Sequence, residues 1–237
     1  KRPDLEARRA QLAAWKDAVC HAESYDALRE LLFEIDRVNC ELSTQYSVAH
    51  IRHTLDTRDE FYEAEISYLQ DTLPTLGGAE VALSEAIASS KFRADIEREF
   101  GKEYFVSVDM QKKLYCEANI PLRQQESRLK NEYQKIMATA EIFFDGKTLN
   151  LYGLQKYFEH PDRTVRAAAV KAYSKFYEDN EPRLEEIWDE LIRIRNEIGK
   201  NLGYENYIPV GYLEQGRTDY GEKEVASFRE QVRKFLV

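Results

Sequence analysis

His50-Ile-Arg-His53 places two imidazoles three residues apart on a stretch with helical periodicity. Such a pair can hold a metal ion, but a catalytic site needs a third ligand and a positioned base. The peptidase helix motif His-Glu-x-x-His, with its glutamate as base, is absent, and the other histidines, His21 and His160, lie far off in sequence. The residues alone therefore point to structural or solvent-facing histidines. Gly146-Lys147-Thr148 resembles the end of a phosphate loop, but such a loop has another glycine five residues before Gly146, where this chain has Glu141. A Gly-x-Ser-x-Gly nucleophile elbow is likewise missing. Carboxylates are plentiful, yet their helical spacing reads as solvated faces, with no pair marked as a tuned acid and base.

The densest functional candidate is residues 204–220, YENYIPVGYLEQGRTDY, with Tyr204, Tyr207, Tyr212 and Tyr220 beside Arg217 and Asp219. The plainer reading is a connector whose tyrosines cover the end of a helix bundle. The functional reading is a rim of aromatic and guanidinium groups facing a peptide cleft, with Tyr212, Arg217 and Tyr220 as its contacts.

The elements that must position these groups are helices. Gly and Pro supply only 10 and 6 of 237 residues, and apolar residues recur at steps of three and four. Asp4 can cap a helix bearing Leu5, Leu12, Trp15 and Val19, and Ser24 a long one running to about Leu55. Tyr62, Ile66 and Leu69 mark a third, which meets Pro74 and Gly77-Gly78. Shorter helices are predicted over 79–89, 92–100 and 103–116, and Pro121 opens one bearing Leu122, Leu129, Tyr133 and Ile136. Asp145-Gly146 between short apolar runs predicts a hairpin. Pro161-Asp162 opens a further helix, Asn180 and Pro182 a separate one, and Gly203 caps the latter. The apolar face of that helix comprises Leu184, Ile187, Trp188, Leu191, Ile194, Ile198 and Leu202. The expectation is an all-α, multi-helix bundle with one small β-hairpin near 142–151, split into 1–118 and 119–237.

The charge balance of 34 basic against 43 acidic residues, a net −9, disfavours nucleic acid and anionic membranes as partners. No apolar run reaches membrane-spanning length. Cys20, Cys40 and Cys116 read as buried or half-buried free thiols of a reducing cytoplasm. The chain ends within an amphipathic helix bearing Val225, Phe228, Val232, Phe235 and Leu236. That ending reads as a truncation. Its stripe is expected to lie partly open and to invite self-association.

A resemblance extends this reading. Thr148-Leu-Asn-Leu-Tyr-Gly-Leu154, His160-Pro-Asp-Arg-Thr-Val-Arg-Ala-Ala-Ala169, the run from Ile187 to Tyr207, Gly211-Tyr-Leu-Glu-Gln-Gly-Arg-Thr-Asp-Tyr220 and Val225-Ala-Ser-Phe-Arg229 follow in an order similar to oligoendopeptidase F. The resemblance is clearest from Pro121 onward. It implies a cytoplasmic zinc metallopeptidase of the thimet-oligopeptidase type, almost wholly helical, with a channel that admits short peptides. In that family zinc is held by His-Glu-x-x-His and a later glutamate, and the motif glutamate activates water. None of those residues has a counterpart in this chain. The resemblance therefore implies part of the channel wall, with the catalytic half missing and no zinc bound by these residues. The alternative is a non-catalytic helical module that binds peptides or proteins.

Overall fold

Asp4 starts the first helix: its carboxylate accepts the Ala7 N–H, and α1 runs over Leu5–Cys20. Ser24 does the same for Ala27 at the head of α2, Tyr25–Leu55. In this computed structural model, which describes residues 2–236, the expected all-α architecture is present. Leu12, Trp15 and Val19 of α1 meet Leu28, Leu32 and Ile35 on the first half of α2. The second half of α2 lies against α3, Glu60–Thr72. A 3-10 turn, Leu73–Leu76, then leads directly into α4, Gly77–Ala88, so Pro74 and the glycines redirect the chain rather than opening a loop. Then come α5 (Arg93–Phe100) and α6 (Glu103–Leu114), which add Ile96 and Phe105 to the first core.

The second half begins with α7, Ile120–Ala138, with Pro121 in its first turn. Ile142–Phe144 (β1) and Lys147–Leu149 (β2) pair antiparallel, Ile142 opposite Leu149. Asp145 and Gly146 between them have φ of 51° and 71°, the signature of a type I′ turn. The Gly-Lys-Thr run is thus part of a hairpin. α8 (Leu151–Gln155) and a 3-10 turn follow, then α9, Arg163–Asn201, α10, Ile208–Glu214, and α11, Glu222–Leu236. Ile187, Ile194, Ile198 and Val210 form one core with Leu129 of α7, and Ala140, Ile142, Leu154 and Ala169 another beneath the hairpin.

The predicted break at Asn180–Pro182 does not occur: α9 is one helix of 39 residues with Pro182 inside it. Proline lacks an N–H, which orphans the Glu178 carbonyl and costs about 3 kcal/mol or more in a helix interior. Both residues are exposed, so water can take that carbonyl. Asn180 Nδ2 also donates to the Phe176 carbonyl at 2.8 Å and ties the turn together. Continuous burial of Ala169 before and Ile187 after the proline offsets its cost. Trp188 is a second departure, 64% exposed, because α7 and α10 cover the 187–191–194–198 stripe and Trp188 lies about 100° around the helix from Ile187. Tyr133 also stands outside the core, for the same reason on α7. Cys20 and Cys40 are exposed rather than buried, on outer faces of α1 and α2, and Cys116 is half-buried.

Between α3 and α7 the packing is polar. Gln124, Arg128, Asn131 and Lys135 form one stripe on α7. Arg128 Nη2 reaches Asp71 Oδ1 at 2.8 Å, Gln124 donates to the Asp71 carbonyl, and Asn131 and Gln70 exchange amide hydrogen bonds. Lys135 Nζ binds Glu63 Oε1 at 2.5 Å. None of the described helices is long and apolar enough to cross a membrane.

Candidate functional site

The end of α9 fixes the tyrosine-rich segment. Tyr204 N–H bonds to the Gly199 carbonyl and Gly203 N–H to that of Lys200, a Schellman close. The returning chain then lies directly on Gly199, where an added Cβ would sit 2.5 Å from the Asn206 carbonyl oxygen. Only glycine permits that approach. It delivers Tyr207 and α10 onto α7 and α9.

Beneath α10 lies an ionic hub. Glu126 of α7 is 3% exposed. Its carboxylate accepts from Arg123 at 3.1 Å, Arg195 at 2.9 Å and Lys130 at 2.8 Å. Arg123 also pairs with Glu214 and donates to the Tyr207 hydroxyl at 3.1 Å. Tyr207 in turn donates to Glu214 Oε2 at 2.6 Å. Burial alone would raise the Glu126 carboxyl, but Lys130, Arg195 and Arg123 reverse this and hold it below the ordinary glutamate range. Burial and the bond to Glu214 push the Tyr207 hydroxyl up to about 12. The hub joins α7, α9 and α10 with directional bonds, and so sets where α10 points.

The sequence reading missed this hub. A signal was present: Glu126 interrupts the apolar row Leu122, Leu129, Tyr133, Ile136, and Arg123 and Lys130 flank it at helical spacing.

The three candidate contacts come together on top. α10 ends in a second Schellman close, Arg217 N–H to the Tyr212 carbonyl and Gly216 N–H to that of Leu213. This folds Arg217 back over its own helix. Its guanidinium lies 5.3 Å from the Tyr212 ring centre and 5.6 Å from that of Tyr220, and the two rings meet edge to face. Among the described residues no carboxylate pairs with Arg217. An aromatic pair that holds a guanidinium with free donors can receive a carboxylate or peptide carbonyls.

The histidine pair does not build a metal centre. His53 is fully buried, and its Nε2 meets Glu63 Oε2 at 2.7 Å. The other Glu63 oxygen carries the Lys135 ammonium, a charge that opposes a divalent cation there. His50 is half-buried and stacks on Tyr46 instead. Among the described residues no three His, Cys, Asp or Glu side chains converge to hold a metal. The donor set therefore does not fit the zinc that the resemblance implies.

A helical chain with this hairpin and this long helix running through Pro182 defines a class. Residues 1–115 match the peptidase M3 N-terminal domain. The fold superposes along its whole length on solved peptidase structures. One described as oligoendopeptidase F is 36% identical, with a TM-score of 0.95 over 99% of this chain. PZ peptidase A with an inhibitor is 35% identical at 0.94, again over 99%, and an oligoendopeptidase F from Bacillus anthracis str. Ames is 30% identical at 0.96 over 100%. This chain is thus similar to the peptidase M3 N-terminal domain over its first half and to oligoendopeptidase F structures along its whole length. It spans 42–44% of the length of those structures. A search of curated proteins gave no match.

Proposed function

We propose that this chain is the N-terminal part of a zinc-dependent oligoendopeptidase that cleaves internal bonds of short peptides in the cytoplasm. The observation that carries the reading is a likeness over nearly the entire chain at 36% identity. On this reading residues 1–118 form a helical domain and 119–237 begin the peptidase domain. The zinc ligands and activating glutamate belong to a part of the protein that this sequence does not include, since His-Glu-x-x-His does not occur in it.

What this part supplies is a rigid section of channel wall. Tyr212, Arg217 and Tyr220 form its contact, with Arg217 taking a substrate carboxylate or carbonyl. The catalytic half covers α11. None of the described residues of α11 is buried, and Phe235 is 72% exposed. Without that cover, Phe228 and Phe235 lead the chain to self-associate.

The test is the complete protein carrying Arg217→Met, assayed with a quenched fluorescent peptide. KM rises about tenfold, the loss expected for one charge-assisted bond, with zinc content unchanged. An unaltered KM removes Arg217 from the site.

A further inference from the structure

The first half holds a cleft that the peptidase reading leaves unused. α2 forms one wall, α4 and α6 the other, and Leu12 of α1 lies at the floor. Its volume is 570 Å³, within the range of sites that take small ligands. Leu32, Leu83, Ile87 and Val108 give it an apolar lining. Three aromatic rings close one end: Phe33 meets Phe100 edge-on at 5.9 Å, and Phe100 lies 5.9 Å from Tyr104. Phe33 is partly exposed there, with the Arg29 guanidinium over its ring at 4.7 Å.

Two carboxylates, Asp36 and Glu80, share this lining, and neither forms an ion pair with a described residue. Loss of water around Glu80 raises its carboxyl above the ordinary range, opposed by the charge of Arg8. Burial raises the Tyr104 hydroxyl, and the nearby Asp36 charge raises it further. Arg8 is itself buried, held by Asn39 and Gln11 and laid over Trp15 at 4.8 Å. Its guanidinium offsets Glu80 and leaves Asp36 as the uncompensated charge.

We propose that this cleft binds an organic cation on an apolar body, namely the arginine or lysine side chain of a peptide with apolar neighbours. Each feature selects for that chemistry. The rings of Phe100 and Tyr104 attract a guanidinium or ammonium, as the Phe33 ring already does with Arg29. The Asp36 carboxylate accepts charge-assisted hydrogen bonds from it. The leucine and isoleucine walls take up the flanking apolar side chains. An anion meets the uncompensated Asp36 carboxylate and is repelled. The net charge of −9 steers cations toward the surface in general, and the rings and walls localise them here. The inference stands apart from the peptidase reading, since it concerns binding by α2, α4 and α6 and needs no turnover.

Calorimetry on the 237-residue chain, with acetyl-Leu-Arg-Leu-amide and its citrulline isostere as probes, tests the proposal. Citrulline keeps the shape of arginine and removes its charge. The arginine peptide binds, and the citrulline peptide binds at least about tenfold more weakly. Asp36→Asn removes most of that difference by weakening the arginine peptide alone. Ser107→Trp, at an exposed wall position where folding tolerates a change, blocks both peptides. Equal affinity for the two peptides overturns the proposal. So does the absence of binding, or wild-type affinity in either variant.

Discussion

Leu28 in the first half and Glu126 in the second are almost equally hidden from water. Leu28 sits among Leu12, Trp15, Leu32 and Leu76, with no directional bond to any of them. Glu126 sits among three cations, each hydrogen-bonded or ion-paired to it at 2.8–3.1 Å. The first arrangement holds helices together by area removed from water and tolerates small rotations. The second fixes direction: α10 sits where Arg123, Glu214 and Tyr207 can all be satisfied at once. The difference matches what each half has to do. On the proposed reading, the hub holds α10 and the turn after it so that Tyr212 and Arg217 keep one position, whereas the first core has no such direction to fix.

The contrast is broken most severely at the hub. Glu126→Ala leaves Arg123, Arg195 and Lys130 without their shared anion and costs about 3–5 kcal/mol in chemical denaturation. Leu28→Ala creates a cavity and costs about 2–5 kcal/mol. The two changes separate further in their side effects. Glu126→Ala displaces α10 and perturbs the Tyr212 and Tyr220 ring resonances, while Leu28→Ala leaves them in place. If both variants disturb those rings equally, the division of labour between the halves is wrong.

Acid sharpens the comparison. The folded-state value of Glu126 is depressed, so it contributes stability that is present above the unfolded value of about 4.3 and is lost as pH falls through the folded value. Glu63 and Glu132 are depressed as well and add to the same slope. The wild type therefore loses stability steeply below about pH 4.3, and Glu126→Gln flattens part of that slope. Leu28→Ala shifts the whole curve without changing its shape. Identical slopes for wild type and Glu126→Gln would refute the role given to this carboxylate.

The smallest effect is at a helix end. Ser24→Ala removes the side-chain acceptor for Ala27 N–H and costs about 1 kcal/mol, with no dependence on pH near neutrality.

The same contrast explains what the sequence made legible. Apolar packing repeats with the helix, so Leu12, Trp15, Leu28 and Ile35 were visible from spacing, as were the caps Asp4 and Ser24 and the Asp-Gly hairpin. The hub was not, because its partners come from α7, α9 and α10 and no spacing joins Glu126 to Arg195. The run through Pro182 was missed for a related reason. A proline's local cost is readable in the chain, but the tertiary burial on either side that outweighs it is not. Trp188 was misplaced because an apolar residue at helical spacing says nothing about how wide a stripe its neighbours cover. Tyr212, Arg217 and Tyr220 were legible as a dense segment. Their stacking depends on a Schellman close at Gly216 that the sequence only hints at.

The central proposal is that this chain shapes a peptidase channel and that the chemistry belongs to another part of the same protein. The most direct test is a quenched fluorescent peptide assay of the purified 237-residue chain with added zinc, run beside the complete protein. The account predicts chelator-sensitive cleavage by the complete protein and none by the chain. Chelator-sensitive turnover that stays with the chain through further purification would contradict it.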